Sequence, residues 1–159
     1  MRIVRRCTSA ETSALADYLA GTAVSDYVAR LHADEVIASL GEAGSAELAA
    51  LWSIFGNLGP FYARDTVGRP KYVVSEVHDA WTRAAAHDPV EYKKLLVLIE
   101  AERRGSLTDR LITVAQTKAG AVIIDGNKRA VAIYEVTAPA VLPVYLIESA
   151  PGWPILPMP

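Results

Sequence analysis

The residues best suited to chemistry are five consecutive ones near the C-terminus, Asp125-Gly-Asn-Lys-Arg129, referred to below as the glycine turn. They follow an apolar run, and Gly126 permits a sharp strand-to-helix turn and close approach of a ligand to the main chain. Asn127, Lys128 and Arg129 then fall in a helical first turn, where unpaired N–H groups and the dipole favour an anion. Lys128 adds a point charge, and Arg129 a planar group that can bind two phosphate oxygens. We therefore predict that Gly126 to Arg129 bind a nucleotide phosphate.

An alternative explanation of the glycine turn needs no ligand. Asp125 or Asn127 could cap the helix while Lys128 and Arg129 extend into solvent. Cations in a first turn are unfavourable unless an anion is present, and this favours the phosphate hypothesis.

His78 is a further candidate, because it lies beside Glu76 and Asp79 in the run Ser75–Trp81. Histidine titrates close to neutral pH and can act as a general base. A structural role within a helix is the alternative for His78.

Composition and charge limit the classes of function. The chain has 159 residues, 52% hydrophobic and 21% charged, which indicates a globular protein. The net charge of −2 disfavours duplex DNA as a partner. A single cysteine, Cys7, allows neither an internal disulfide nor a cysteine cluster for zinc, and we predict no protein-ligated metal site. No apolar stretch reaches the roughly 18 residues of a membrane span. We expect a cytoplasmic protein without a membrane partner; a homo-oligomer is left open.

The first half of the chain is predicted to be mainly helical. Capping residues, apolar spacing and glycine stops predict a strand over Met1–Arg6 and helices over Ser9–Ala20, Ser25–Leu40 and Ser45–Phe55. Glycine and proline predict loops over Gly56–Pro60 and Arg64–Pro70.

The second half alternates between helical and extended patterns. We predict an extended start at Tyr72 that becomes helical through Trp81, then a helix from Pro89 to Arg104 that Gly105 terminates. The later pattern predicts strands over Leu111–Ala115, Ala121–Ile124 and Leu142–Ile147, a helix over Ala130–Val136, and an extended proline-rich tail.

These elements indicate an α/β (α+β) protein with a small mixed sheet. We expect a helical N-terminal part over 1–90 that packs on a core over 91–150, followed by a tail over 151–159.

From about Glu91 to Glu148 the chain resembles the ParB/sulfiredoxin superfamily. The resemblance rests on the helix Tyr92–Arg104, the strand Leu111–Ala115, Ile123-Ile-Asp-Gly-Asn-Lys-Arg129 and Leu142-Pro-Val-Tyr-Leu146. It implies a ParB/sulfiredoxin-like core in which the glycine turn holds the phosphates of ATP or ADP, together with Mg²⁺. Similar stretches occur in a branch that includes nucleotide-dependent kinases of free serine. There the aspartate that matches Asp125 helps to organise the reacting groups.

The chain departs from two members of that superfamily. Sulfiredoxins carry a catalytic cysteine where this chain has Asn127, and ParB proteins continue into a helix-turn-helix domain after the core. Sulfiredoxin chemistry and centromere-type DNA binding are therefore not expected.

The glycine turn also resembles the end of the Fic/Doc signature, which holds ATP phosphates. The histidine of that signature falls on Ala121 and its phenylalanine on Ile123, so the proton acceptor is missing. A degenerate Fic/Doc-like protein is one alternative. Another is a non-catalytic nucleotide-binding switch or a defence or toxin–antitoxin accessory protein. The leading hypothesis is a nucleotide-binding protein that transfers phosphate to a small hydroxyl or amine substrate, with Asp125 and His78 as candidate catalytic residues.

Overall fold

The computed structural model describes residues 1–21, 36–53, 72–84, 89–117, 120–137 and 141–149. Within these ranges the chain forms helices and one seven-stranded mixed sheet, which confirms the predicted α/β class. The strands are β1 (Arg2–Arg6), β2 (Val36–Ala43), β3 (Trp52–Ser53), β4 (Tyr72–Val73), β5 (Ile112–Thr117), β6 (Gly120–Asp125) and β7 (Leu142–Ser149). The helices are α1 (Ser9–Ala20), α2 (Ser45–Ala49), α3 (Val74–Ala84), α4 (Pro89–Arg103) and α5 (Asn127–Val136).

The strand order across the sheet is β1-β2-β7-β5-β6-β3-β4. β5 is parallel to β7 and β3 is parallel to β6, while the other neighbours are antiparallel. The strands before and after residue 90 therefore belong to the same sheet. β2 and β7 form its longest ladder, from Val36 opposite Ser149 to Ala43 opposite Leu142.

The described helices pack on both faces of the sheet. On one face, Leu15, Ala16 and Leu19 of α1 are buried together with Ala115 and Ile147. On the other face, the larger core joins α2 to α5 with alternate strand residues, including Leu48, Trp81, Leu95, Ile99, Ile133, Val114, Ile123 and Val144. Alternation along β5 and β7 sends successive side chains to opposite faces, so both faces of these strands are apolar.

Local signals set several element ends where they were predicted. Thr8 caps α1 in a capping box with Glu11, and Gly21 ends that helix. α4 starts at Pro89 and is followed by Gly105, whose φ of 65° only glycine adopts readily. The change from extended to helical backbone falls at Val74. The strands predicted at both ends of the chain and around the glycine turn are also confirmed.

The helix predicted over Ser25–Leu40 is wrong at its C-terminal end, where β2 begins at Val36; residues 25–35 lie outside the described ranges. β2 pairs with β1 on one side and β7 on the other, and this ladder outweighs an irregular helical pattern. Gly41, predicted to stop the helix, lies inside β2. A Cβ at this position would be 3.1 Å from the carbonyl oxygen of Arg2.

The helix predicted over Ser45–Phe55 is too long. α2 ends at Ala49, and Trp52–Ser53 pair in parallel with Val122 and Ile123 of β6. Leu48 and Leu51 are buried as their spacing indicated, but the chain turns to complete the sheet. Phe55, the two predicted loops and the tail 151–159 lie outside the described residues.

Among the described residues, no helix has both the length and the apolar character needed to cross a bilayer.

Candidate functional site

Gly126 forms the bend of the glycine turn, between β6 and α5. Its φ of 81° and ψ of 19° are left-handed. A Cβ on this residue would lie 2.9 Å from Cγ2 of Ile112 and 3.1 Å from Nη2 of Arg129. Only glycine fits here without displacing a neighbour. α5 then starts at Asn127, with Gly126 as its N-cap residue.

Asn127 connects the turn to the interior of the protein. Its side chain is 2% exposed, its Oδ1 accepts a hydrogen bond from Ser53 Oγ at 2.9 Å, and its Nδ2 donates to the carbonyl oxygen of Ile123 at 3.1 Å. These bonds join β3, β6 and α5. The side chain of Asn127 is therefore committed to the fold.

Arg129 lies at the centre of a charged cluster on the α1 side of the turn. Its Nη2 donates to Asp125 Oδ2 at 2.6 Å and to the Tyr18 hydroxyl oxygen at 3.2 Å. Its Nη1 forms an ion pair with Asp109 Oδ2. The Tyr18 hydroxyl in turn donates to Asp125 Oδ2 at 2.9 Å. The cluster holds one positive and two negative charges.

Lys128 points to the other side of the turn, toward α3 and α4. Its ammonium group is 2.6 Å from Glu91 Oε2 and 5.9 Å from the centre of the Trp81 ring, within the range of a cation–π contact. Lys94 forms a second ion pair with Glu91. Burial tends to raise the pKa of Glu91, but hydrogen bonds from Lys128 and Lys94 outweigh it and lower the pKa to about 2. This cluster holds two positive charges and one negative charge.

The carboxylates of the chain itself therefore neutralise both basic side chains of the turn. The sequence predicted that cations in this first turn need a nearby anion, and Glu91, Asp109 and Asp125 supply anions. An external anion at Arg129 must compete with carboxylates that are already present.

A cavity lies on each side of the glycine turn. The one on the Arg129 side has a volume of about 180 Å³, and charged, hydroxyl and apolar groups line it: Ala14, Leu15, Tyr18, Asp109, Leu111, Thr113, Asp125, Arg129 and Tyr145. The one on the Lys128 side is an open groove of about 810 Å³ along α4, lined among the described residues by Pro89, Val90, Lys93, Lys94, Val97, Leu98 and Lys128. The turn thus separates a small cavity with a mixed polar and apolar lining from a larger groove with three lysines.

Sheet topology explains why these groups meet at one place. β6 and its parallel neighbour β3 both end here, while β4 and β5 begin here. Tyr145, near the start of β7, pairs with Thr113 of β5, which in turn pairs with Asp125. α1 crosses this end of the sheet and delivers Tyr18.

His78 is not part of this assembly. Its Nδ1 lies 3.3 Å from Glu135 Oε2, and Glu135 is on α5 eight residues beyond Asn127. At a rise of about 1.5 Å per residue, that pair is some 12 Å along the helix from the turn. The structure brings Asp125, Gly126 and Arg129 together and leaves His78 at the other end of α5.

Tyr18 and Asp109 are contact residues that the sequence did not single out. Tyr18 is 107 positions from Asp125 and 111 from Arg129, and its position on α1 carries no sign of that pairing. Asp109 lies in the connection before β5, where an aspartate is ordinary for a turn. Only the tertiary structure places either residue beside Arg129.

In comparisons with known proteins, no family model, no curated protein and no solved structure matches the chain. The resemblance to the ParB/sulfiredoxin superfamily therefore rests on the residues quoted above.

The described part of the chain contains no group of three histidine, cysteine, aspartate or glutamate side chains that could hold a metal ion. Asp109 and Asp125 both form ion pairs with Arg129, so two carboxylates lie near the turn. Mg²⁺ commonly binds one or two carboxylates together with substrate phosphates, and these residues fit that mode.

Proposed function

We propose that this protein binds a nucleotide such as ATP or ADP, with the phosphates at the glycine turn. The observation that carries the proposal is Gly126. Its left-handed backbone and lack of space for a Cβ define the sharp turn that leads directly into the first turn of α5. Such a turn brings main-chain N–H groups and the positive end of the helix dipole to one point, which suits a phosphate.

The two cavities suggest how a nucleotide and a second substrate share this end of the sheet. The groove of about 810 Å³ has the volume of a typical ligand site, and Lys93, Lys94 and Lys128 lie along it, the last two paired with Glu91. The cavity of about 180 Å³ suits a molecule of only a few heavy atoms and offers carboxylate and hydroxyl groups. This arrangement fits a phosphotransferase acting on a small hydroxyl or amine compound.

Asp125 is the residue to which we assign the acceptor or the metal. Its carboxylate lies at the junction of the small cavity and the turn, held by Tyr18 and Arg129. Mg²⁺ bound there with the nucleotide would supply neutralisation of the phosphate charge. His78 is left out of the proposed site because its contact is with Glu135.

A non-catalytic nucleotide switch is the second candidate. It is favoured by the internal ion pairs of Lys128 and Arg129, since ligand binding would rearrange them. The Fic-like alternative fits poorly. Fic-like proteins are all-helical, whereas the glycine turn here follows a strand of a seven-stranded sheet.

Thermal unfolding with ATP, ADP, CTP and GTP tests nucleotide binding. A ligand at a hundred times its Kd stabilises the folded state by about 2.7 kcal/mol, which raises the Tm by roughly 5–10 °C for a chain of this size. Arg129→Ala should remove most of that rise. Arg104→Ala, which removes an exposed arginine paired with Glu100, should preserve it.

Equal shifts in wild type and Arg129→Ala would contradict the assignment of the phosphates to this turn. Incubation with labelled nucleotide then separates the two candidates. Steady product formation supports the transferase, and saturable binding without turnover supports the switch.

A further inference from the structure

Asp109 occupies the part of Arg129 that a phosphate bound at the glycine turn would use. The guanidinium contacts Asp125 through Nη2 and Asp109 through Nη1, so both arms of the fork meet carboxylates. A phosphate that binds Arg129 must displace one of them or add charge to a cluster that already has a net charge of −1.

Asp125 is the more firmly held of the two. It accepts hydrogen bonds from Arg129 at 2.6 Å and from Tyr18 at 2.9 Å, and its side chain is 20% exposed. Its backbone lies in β6, opposite Thr113 of β5. Displacing Asp125 would therefore break two side-chain contacts at the end of a strand.

Asp109 has fewer constraints. Its side chain is 59% exposed, and it lies outside the strands in the connection between α4 and β5. Its Oδ1 accepts a hydrogen bond from the Leu111 amide at 3.2 Å, so the ion pair with Arg129 uses the other oxygen. Rotation of this one side chain would release Nη1 of Arg129 without moving a strand.

The backbone of this connection is anchored independently of Asp109. Arg110 is 2.9 Å from Glu102, whose side chain is 1% exposed, and Arg110 Nη2 also donates to Thr137 Oγ1 at 3.3 Å. These contacts hold the connection to the ends of α4 and α5. Loss of the Asp109 carboxylate is therefore expected to leave the connection in place.

We propose that Asp109 determines the anion affinity of the glycine turn by competing with the phosphate of the ligand for Nη1 of Arg129. The inference rests on the proposed nucleotide binding and assigns to Asp109 a role in affinity, not in the chemistry. Asn at this position keeps an oxygen for the Leu111 amide and removes only the charge that competes.

The test measures the Kd of ATP by isothermal titration calorimetry, in EDTA and at low salt, for wild type, Asp109→Asn and Asp109→Ser. Serine also retains an oxygen that can bond to the backbone, so it serves as the second variant if Asn destabilises the fold. Glu100→Gln is the matched control, because it removes one negative charge from an exposed ion pair on α4. We expect Asp109→Asn and Asp109→Ser to bind about tenfold more tightly than wild type and Glu100→Gln. The gain should shrink as added salt screens the charges.

The outcomes separate this inference from the proposed function. Binding by wild type with an unchanged or weaker Kd in both Asp109 variants overturns the competition and leaves nucleotide binding intact. Binding by an Asp109 variant alone supports the competition. If neither wild type nor either variant binds ATP, in EDTA or with added Mg²⁺, both proposals are overturned.

Discussion

Gly126 illustrates how a single backbone conformation defines the candidate site. Gly126 and Gly105 both have a left-handed φ, 81° and 65°, but their surroundings differ. A Cβ at Gly126 would meet Ile112 and Arg129, whereas a Cβ at Gly105 would have no atom within 4 Å. The two glycines therefore separate the cost of the backbone angle from the cost of crowding.

Gly126→Ala should destabilise the protein more than Gly105→Ala does. The left-handed backbone costs alanine about 1–2 kcal/mol at either position. Crowding against Ile112 and the Arg129 guanidinium adds roughly 1–3 kcal/mol at Gly126 alone. Urea unfolding measures the difference, and equal free energies of unfolding for the two variants would contradict the tight packing described for the turn.

The sequence predicted the residues of the glycine turn better than it predicted the distant residues that contact them. Gly126, Lys128 and Arg129 have the predicted positions because a strand, a glycine and a helix start are local signals. The burial of Asn127 depends on Ser53, which is 74 positions away. Contacts of this kind depend on how β3 and α1 are placed, and no local pattern carries that information.

Among the elements, α4 and α5 are joined at the site by Glu91 and Lys128. The Glu91 side chain is 13% exposed, and the two lysines that contact it lower its pKa to about 2, against an ordinary value of 4.5. A carboxylate with a lowered pKa stabilises the folded state at pH values above its unfolded pKa. That stabilisation is lost as the pH falls from about 4.5 toward 2.

Glu91→Gln is therefore expected to destabilise the protein at pH 7 by about 1.5–3 kcal/mol, the value of a hydrogen bond to a charged group. The difference from wild type should decrease at pH 3 and become small at pH 2, where Glu91 is protonated in the unfolded state and about half protonated in the folded state. Glu100→Gln, which removes the same charge from the same helix, is the control. Thermal unfolding from pH 7 to pH 2 measures the effect, and a difference that does not depend on pH would contradict it.

Helices and strands were predicted correctly where the interactions that decide them are local in sequence, and incorrectly where those interactions join distant residues. α1 and α4 have a capping box, an initial proline or a terminal glycine, and each was predicted nearly to its ends. β2 and β3 were predicted as parts of helices. Their structure depends on pairing with β7 and β6, more than 60 positions along the chain. Such pairing overrides local preference.

The whole molecule is organised around β7, which joins the earliest and latest parts of the described chain. It lies between β2 and β5, and eight residue pairs connect it to β2. β1 and β4 form the edges, and every residue of β1 is exposed. The sequence suggested a boundary near residue 90, and that division stays a prediction. Because both parts contribute strands to one sheet, we expect them to unfold cooperatively.

Native-state hydrogen exchange should show β2 opening together with β5, β6 and β7. Breaking the β2–β7 ladder would expose apolar residues on both faces, including Ala38 beneath α1 and Val144 in the larger core. We expect the amides of the four strands to exchange with opening free energies within about 1 kcal/mol of global unfolding. β1 and β4 should exchange faster, since each has a neighbour on only one side.

If β2 exchanged at a distinctly lower free energy while β5 to β7 stayed protected, the part before residue 90 would be a separate cooperative unit. β3 and β6, whose ends form the site, would then belong to units that open independently. Nucleotide binding should in that case raise the protection of both strands against hydrogen exchange.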